Sequence, residues 1–302
     1  MPAPRLFLLG GTASGKTAVS LALARRLGGE IINFDALKVY REMDIGTAKP
    51  SRADREAVPH HLIDILDPDE SYSAGRFVRD ACAAEARIRG LPIYAGGTSL
   101  YYKARVWGLF EGQPIDPGVR RELRERARRE GAPALHAELA SVDAPAAARI
   151  HPHDQKRILR ALEVFHSSGR PLSAQQTQFE RGASLPALSI FLARQEADLR
   201  ARIEARVRDQ IAAGLEAEVR ALMARPEGWS REAREAVTYR EMRAKIEGRL
   251  SLEEAVAEIV RRNWRLSRRQ HTWVRSLPEV RRLEVFPGEP ADSVAARIAL
   301  LS

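Results

Sequence analysis

Eight consecutive residues, Gly10-Gly11-Thr12-Ala13-Ser14-Gly15-Lys16-Thr17, constrain the fold of this chain more than any other feature. They fit the phosphate-binding pattern G-x-x-x-x-G-K-[ST] without a gap. The apolar run Leu6 to Leu9 ahead of them reads as a buried strand. The stretch Ala18 to Leu27 behind them reads as a helix with Leu21, Leu23, Ala24 and Leu27 free to pack. Strand, glycine-rich turn and helix together make the first unit of a parallel sheet. Such a turn aims successive N–H groups at one anion, and the helix N-terminus adds its positive end. Lys16 is placed to reach a terminal phosphate and the Thr17 hydroxyl to meet Mg²⁺. The chain therefore grips a di- or triphosphate. The loop alone leaves open whether that phosphate is hydrolysed, transferred or discarded.

The alternation continues to about residue 110. Strands are expected at Leu6–Leu9, Glu30–Phe34, His61–Ile65 and Pro92–Ala95, with helices near 17–27, 73–89 and 98–107. Gly112, Pro114 and Pro117 then break the pattern. A helical block follows, with Asp116-Pro117 as N-cap and first helical residue, Gly131 as a stop, and a helix over about 154–168 ending at Gly169. Leu188–Ala193 reads as a strand returning to the sheet. Long helices are expected at 196–224, where Leu199, Ile203, Val207 and Ile211 form a buried stripe, then at 231–247. A last one at 252–275 follows the Ser251-x-x-Glu254 capping box. The segment from Pro278 is weakly patterned. The expected organisation is an α/β P-loop NTPase-like core with a parallel sheet at 1–115, a helical insertion domain at 116–186, and a return strand with C-terminal helices at 187–302.

Composition narrows the chemistry. Of 302 residues, 49 are Lys or Arg and 40 are Asp or Glu, a net charge of +9 that suits a polyanionic partner such as nucleic acid. Cys82 is the single cysteine, so disulfides and thiolate zinc sites within one chain are excluded. It lies in an alanine-rich helical stretch and is expected to be a buried packing residue. No apolar run approaches a membrane span and no signal-like segment precedes the first strand, so a cytoplasmic, membrane-free protein is expected.

In a doubly wound sheet, ligands bind beyond the carboxyl ends of the strands. The P-loop follows the first strand, Asp35 the second, and Gly96-Gly97-Thr98 the strand at Pro92–Ala95. An acid in that position can be a metal ligand, a general base or a helix cap. Thr98 can cap the next helix and touch a ligand as well. A P-loop ATPase also needs an apolar strand ending in a magnesium-binding Asp. His61-Leu62-Ile63-Asp64 is the nearest match and is short, and no arginine finger is assignable. That weakness favours a loop that holds phosphate without hydrolysing a nucleotide.

The segment Asp35-Ala36-Leu37-Lys38-Val39-Tyr40-Arg41-Glu42-Met43-Asp44-Ile45-Gly46-Thr47-Ala48-Lys49-Pro50 resembles the tRNA dimethylallyltransferases, also called tRNA isopentenyltransferases. The resemblance continues in order through His60–Asp64, Ser71–Ala74, Gly96–Tyr102, Arg157–Val164 and Arg268–Trp273, spanning nearly the whole chain. It implies transfer of a dimethylallyl group from dimethylallyl diphosphate to the exocyclic N6 of the adenosine 3′ of the anticodon. Diphosphate is the leaving group, Mg²⁺ the cofactor, and no ATP is needed. By that resemblance Gly10 to Thr17 hold the diphosphate and Thr17 carries Mg²⁺. Lys16, Asp35 and Thr98 are catalytic, Asp35 as the base for N6–H. Asp35, Ala36, Leu37, Lys38, Thr98, Lys156, Arg157, Arg160, Arg240, Arg265, Arg269 and Gln270 are implied to meet the tRNA anticodon stem-loop, and the working species is expected to be a monomer. On the last long helix, Arg261, Arg262, Arg265, Arg268 and Arg269 fall within an arc of about 120°, a stripe suited to phosphate contacts or to a solvated face.

The chain departs from the family pattern in four places. Gly11 stands where the family has Pro, Ala36 where it has Ser, Thr238 where a Gly precedes Tyr239, and Asn263-Trp264 where it has Thr-Arg. Three rival readings stay open at this point. They are a prenyltransferase for free adenine nucleotides, a P-loop small-molecule kinase, and an RNA-binding protein with a decayed site.

Overall fold

A computed structural model describes residues 5–108, 116–175 and 183–301. It contains a six-stranded sheet in the order β3-β2-β4-β1-β5-β6, with every pairing parallel. The strands are β1 (Leu6–Gly10), β2 (Gly29–Asn33), β3 (His60–His61), β4 (Leu91–Gly96), β5 (Leu188–Arg194) and β6 (Val280–Val285). β1 sits between β4 and β5 and is buried throughout, which is why it reads as a continuous apolar run. At about 2 kcal/mol for each fully buried Leu or Phe, Leu6, Phe7, Leu8 and Leu9 anchor the strand that carries the P-loop.

In the first half of this unit the helices are α1 (Lys16–Leu27), α2 (Arg52–Ala57), α3 (Ala74–Glu85) and α4 (Ser99–Val106). Gly28 ends α1 in the left-handed conformation and returns its N–H to the Ala24 carbonyl. A separate unit, residues 107–184, holds α5 (Pro117–Glu130), α6 (Ala132–Val142), α7 (Ala144–Arg149), α8 (Gln155–Ser168) and α9 (Leu172–Gln175). Its core is Leu123, Leu135, Leu139, Ile158, Ala161 and Leu162. Asp116 and Asp154 cap α5 and α8 through Gly118 N–H and Arg157 N–H. The first unit closes at Val106 and resumes at Leu185. The breaker residues Gly112 and Pro114 lie outside the described residues.

The chain then forms α10 (Glu196–Ala212), α11 (Leu215–Met223), α12 (Arg231–Arg234), α13 (Tyr239–Ile246), α14 (Leu252–Val274) and α15 (Ala291–Ala299). Several elements differ from expectation. The helix expected at 196–224 breaks at Gly214, φ +96, and the one at 231–247 breaks at Thr238, φ +86. The strand expected at His61–Ile65 stops after two residues, because Leu62 and Asp64 take φ +61 and +55. Asp64 is there held by Lys49 and Arg55, so it is an anchor for the loop and not a metal ligand at a strand end. The segment after Pro278 is structured. β6 forms the sheet edge, and α15 sends Val294, Ala295 and Ile298 into the core beside Val19 and Leu23 of α1. Cys82 is exposed, not packed. No helix among the described residues is long and apolar enough to cross a membrane.

Candidate functional site

The carboxyl ends of β1, β2 and β4 bring the P-loop, Asp35 and Gly97-Thr98 together around two adjoining cavities. The first, about 460 Å³, is lined by Thr12 to Ala18, Lys38, Ala48, Arg202 and Arg206. The second, about 450 Å³, is lined by Ala36, Leu37, Thr98, Val237, Asn263, Leu266, Arg269 and Trp273. Thr12, Asp35, Thr47, Arg206 and Gln270 line both and so form the wall between them.

The first cavity is built for an anion. The N–H groups of the first turn of α1 have no partner inside the helix and face the loop. Lys16 Nζ turns back onto the Gly10 and Gly11 carbonyls, both at 2.8 Å. Burial lowers the Lys16 ammonium to about 7, against the raising field of Asp35 and with the lowering fields of Lys38 and Arg206. Burial also brings Lys38 to about 8, against the raising field of Asp35 and with the lowering fields of Arg206 and Lys49, and burial lowers Arg206. Three crowded cations beside one carboxylate make a site whose charge calls for a polyanion. Lys38 Nζ donates to Thr17 Oγ1 at 3.3 Å, so the structure places Lys38 in the first cavity and not in the second.

Asp35 and Thr98 meet at the shared wall. Asn33 shapes the turn there. Its Oδ1 accepts Asp35 N–H, and its Nδ2 donates to the Asp35 and Leu62 carbonyls. Asp35 Oδ1 accepts Leu37 N–H at 3.0 Å, which fixes the carboxylate and leaves its other oxygen for a ligand. Thr98 Oγ1 accepts Ala36 N–H at 3.0 Å, so its own hydroxyl proton is free to donate into the cavity. A backbone amide thus orients Thr98 although Ala36 carries no hydroxyl.

Magnesium must be tested against these donors. Among the described residues no group of three His, Cys, Asp or Glu could cage a metal. Thr17 Oγ1 and Asp35 line the same cavity. A cation that keeps its waters and takes most of its ligands from a phosphate fits this sparse set.

Residues that the sequence left unmarked complete the site. Arg194 Nε donates to the Ser14 carbonyl at 2.8 Å, and Arg202 Nε to the Ala13 carbonyl at 2.9 Å. Arg202 and Arg206 are i, i+4 on α10, beside the apolar stripe, and that spacing was the available signal. The loop at Asp44 to Gly46 is held by Glu218, whose carboxylate accepts all three of its N–H groups and the Tyr239 hydroxyl.

The expected RNA-facing residues divide. Ala36, Leu37, Thr98, Arg269 and Gln270 line the second cavity. Arg265 and Arg268 are exposed and carry no ion pair among the described residues, whereas Arg261 and Arg262 pair with Glu258. Arg240 pairs with Glu235 and lines a separate recess with Arg243 and Arg249. Lys156, Arg157 and Arg160 are exposed on the first turns of α8 in the insertion. Asn263 lines the second cavity, and Trp264 receives the Arg200 guanidinium 4.2 Å above its ring. Gly11 leaves room that Ser267 uses, since a Cβ there would fall 2.2 Å from Ser267 Oγ.

Fold and site define a P-loop α/β protein in which a cation-rich cradle adjoins a second pocket lined by Leu266 and Trp273. An IPP transferase family model matches residues 38–277 and an isopentenyl transferase model residues 5–64. The chain is 48% identical over 282 residues to the tRNA dimethylallyltransferase of Syntrophobacter fumaroxidans, covering 92% of this chain and 82% of that one. It is 46% identical to that of Anaeromyxobacter sp. strain K, over 97% of each. The crystal structure of the full-length tRNA isopentenylpyrophosphate transferase from Bacillus halodurans superposes with a TM-score of 0.71 at 34% identity, covering 98% of this chain and 95% of that one. The chain belongs to the IPP transferase family.

Proposed function

We propose that this enzyme transfers a dimethylallyl group from dimethylallyl diphosphate to N6 of the adenosine 3′-adjacent to the anticodon of tRNA, releasing diphosphate. The observation that carries the reading is the wall shared by the two cavities. It sets the Asp35 carboxylate between an anion cradle and a pocket that Trp273 and Leu266 make suitable for a flat base.

The roles follow from the chemistry. An allylic C–O bond breaks readily when the departing diphosphate is neutralised. Lys16, Lys38, Arg206 and the α1 amides supply that stabilisation in a half-buried site that partly strips water from the charges. Thr17 would hold a magnesium ion, which would supply further neutralisation of the leaving group's charge. The N6 amine is a weak nucleophile, its lone pair being delocalised into the ring. Asp35 accepts an N6–H hydrogen bond, aligns the amine, and takes the proton as the C–N bond forms. The Thr98 hydroxyl donates at the same junction. Arg265, Arg268, Arg269, Lys156, Arg157 and Arg160 meet the tRNA, and the base leaves the anticodon-loop stack to enter the pocket. One chain builds both cavities, so a monomer suffices, and a tRNA substrate implies the cytoplasm.

The reading is tested by incubating the protein with allyl-labelled dimethylallyl diphosphate, Mg²⁺ and either unmodified tRNA or AMP. Label is expected on tRNA. Label on AMP but not on tRNA would assign the acceptor to free nucleotides, and label on neither would remove the activity.

A further inference from the structure

Gln270 reaches from α14 into the wall between the cavities and uses both ends of its amide there. Its Oε1 accepts Thr12 N–H at 3.0 Å, and its Nε2 donates to the Gly97 carbonyl at 2.9 Å. These bonds join the P-loop to the loop that carries Thr98, across 258 and 173 residues of sequence. Gly97 makes room for the link, since a Cβ there would lie 2.4 Å from Nε2. The bonding fixes the orientation of the amide, because the reversed group would face donor with donor and acceptor with acceptor. It also takes Thr12 N–H out of the anion cradle, leaving the cradle to the amides nearer α1. Each end of its amide is tied to the protein, which holds Gln270 in place, although the resemblance counts it among the tRNA contacts.

We propose that Gln270 is a positioning residue, a staple that sets the distance between the diphosphate clamp and the Asp35–Thr98 junction. The inference rests on the transfer reaction proposed above. The leaving group is held by one loop and the acceptor base by the other. Letting the loops drift misaligns the reacting atoms, and misplacement by about 1 Å costs up to ~10²-fold in rate. The loss belongs in turnover and not in tRNA affinity.

Two variants test this. Gln270→Met fills the same space without hydrogen bonds. Gln270→Glu keeps an acceptor for Thr12 N–H but loses the donor to Gly97. For each, kcat at saturating substrates, the Kd for tRNA, and hydrogen exchange at the Thr12 amide are measured beside the wild-type protein. The expected result for Gln270→Met is a kcat at least about 10-fold lower, tRNA Kd within about twofold, and faster Thr12 exchange. Gln270→Glu should keep Thr12 protected and still lose turnover. A raised tRNA Kd with kcat retained would make Gln270 an RNA contact and overturn the proposal. So would unchanged kcat in both variants, or a Thr12 amide that is unprotected in the wild type. Absence of transfer by the wild type would instead strike the reaction itself, since Thr12 protection is read without turnover.

Discussion

At the scale of single residues, the site is organised by what surrounds each charge. Lys16 and Lys38 are ordinary lysines made unusual by burial and by neighbouring cations, Arg206 foremost among those they share. This has a measurable consequence. With its pKa near 7, Lys16 is mostly neutral at pH 8. A bound diphosphate favours the ammonium and raises that pKa, so binding at pH 8 takes up protons and affinity falls as pH rises through 7. Calorimetry of inorganic diphosphate binding in buffers of different ionisation enthalpy should show this uptake, reduced in Lys16→Met. Equal uptake in the variant would assign the proton elsewhere. The motif residues Lys16, Thr17, Asp35 and Thr98 were all legible, because each occupies a position that a local pattern defines. Arg194, Arg202 and Arg206 were not. Their roles arise from the packing of α10 and β5 on the P-loop, which no local window contains.

At the scale of elements, the strongly patterned segments were readable and the strained ones were not. β1, α1, α8 and α14 carry caps, glycines and periodic apolar faces that agree with one another. The ends of β3 and the break before α13 depend on positive φ at non-glycine residues, which side-chain type does not announce. Thr238 is the clearest case. Its φ of +86 and ψ of −51 are costly for a β-branched residue, and its N–H is held by Glu241 at 2.8 Å. The family glycine at this position was legible as a departure, and the backbone shows why it matters. Thr238→Gly should stabilise the protein by about 1 kcal/mol, strain relief of ~1–3 kcal/mol outweighing glycine's entropic cost of ~0.5–1 kcal/mol. A denaturation midpoint that stays level or falls would contradict the strain. β6 escaped notice because its arginines and glutamate mask a short edge strand, and α15 because it follows a Pro-Gly-rich turn.

At the scale of the whole molecule, the parallel sheet places three loops on one rim, and the helices after β5 close that rim into two cavities. The topology follows from β-α alternation, and with it the convergence of the P-loop, Asp35 and Thr98. The cavities themselves were not legible, since their walls are completed by α10, the turn before α13, and α14, far along the chain. On the proposed reading the P-loop is a clamp for a discarded group, with Lys16 and Lys38 in the cavity on one side of Asp35 and Leu266 and Trp273 in the cavity on the other. The most direct test is single-turnover transfer by Asp35→Ala with labelled dimethylallyl diphosphate and saturating tRNA, scored against tRNA binding by the same variant. Transfer should fall about 10²–10⁴-fold, the contribution of a positioned general base, with tRNA affinity largely kept. Transfer at the wild-type rate would remove Asp35 from the chemistry and contradict the account.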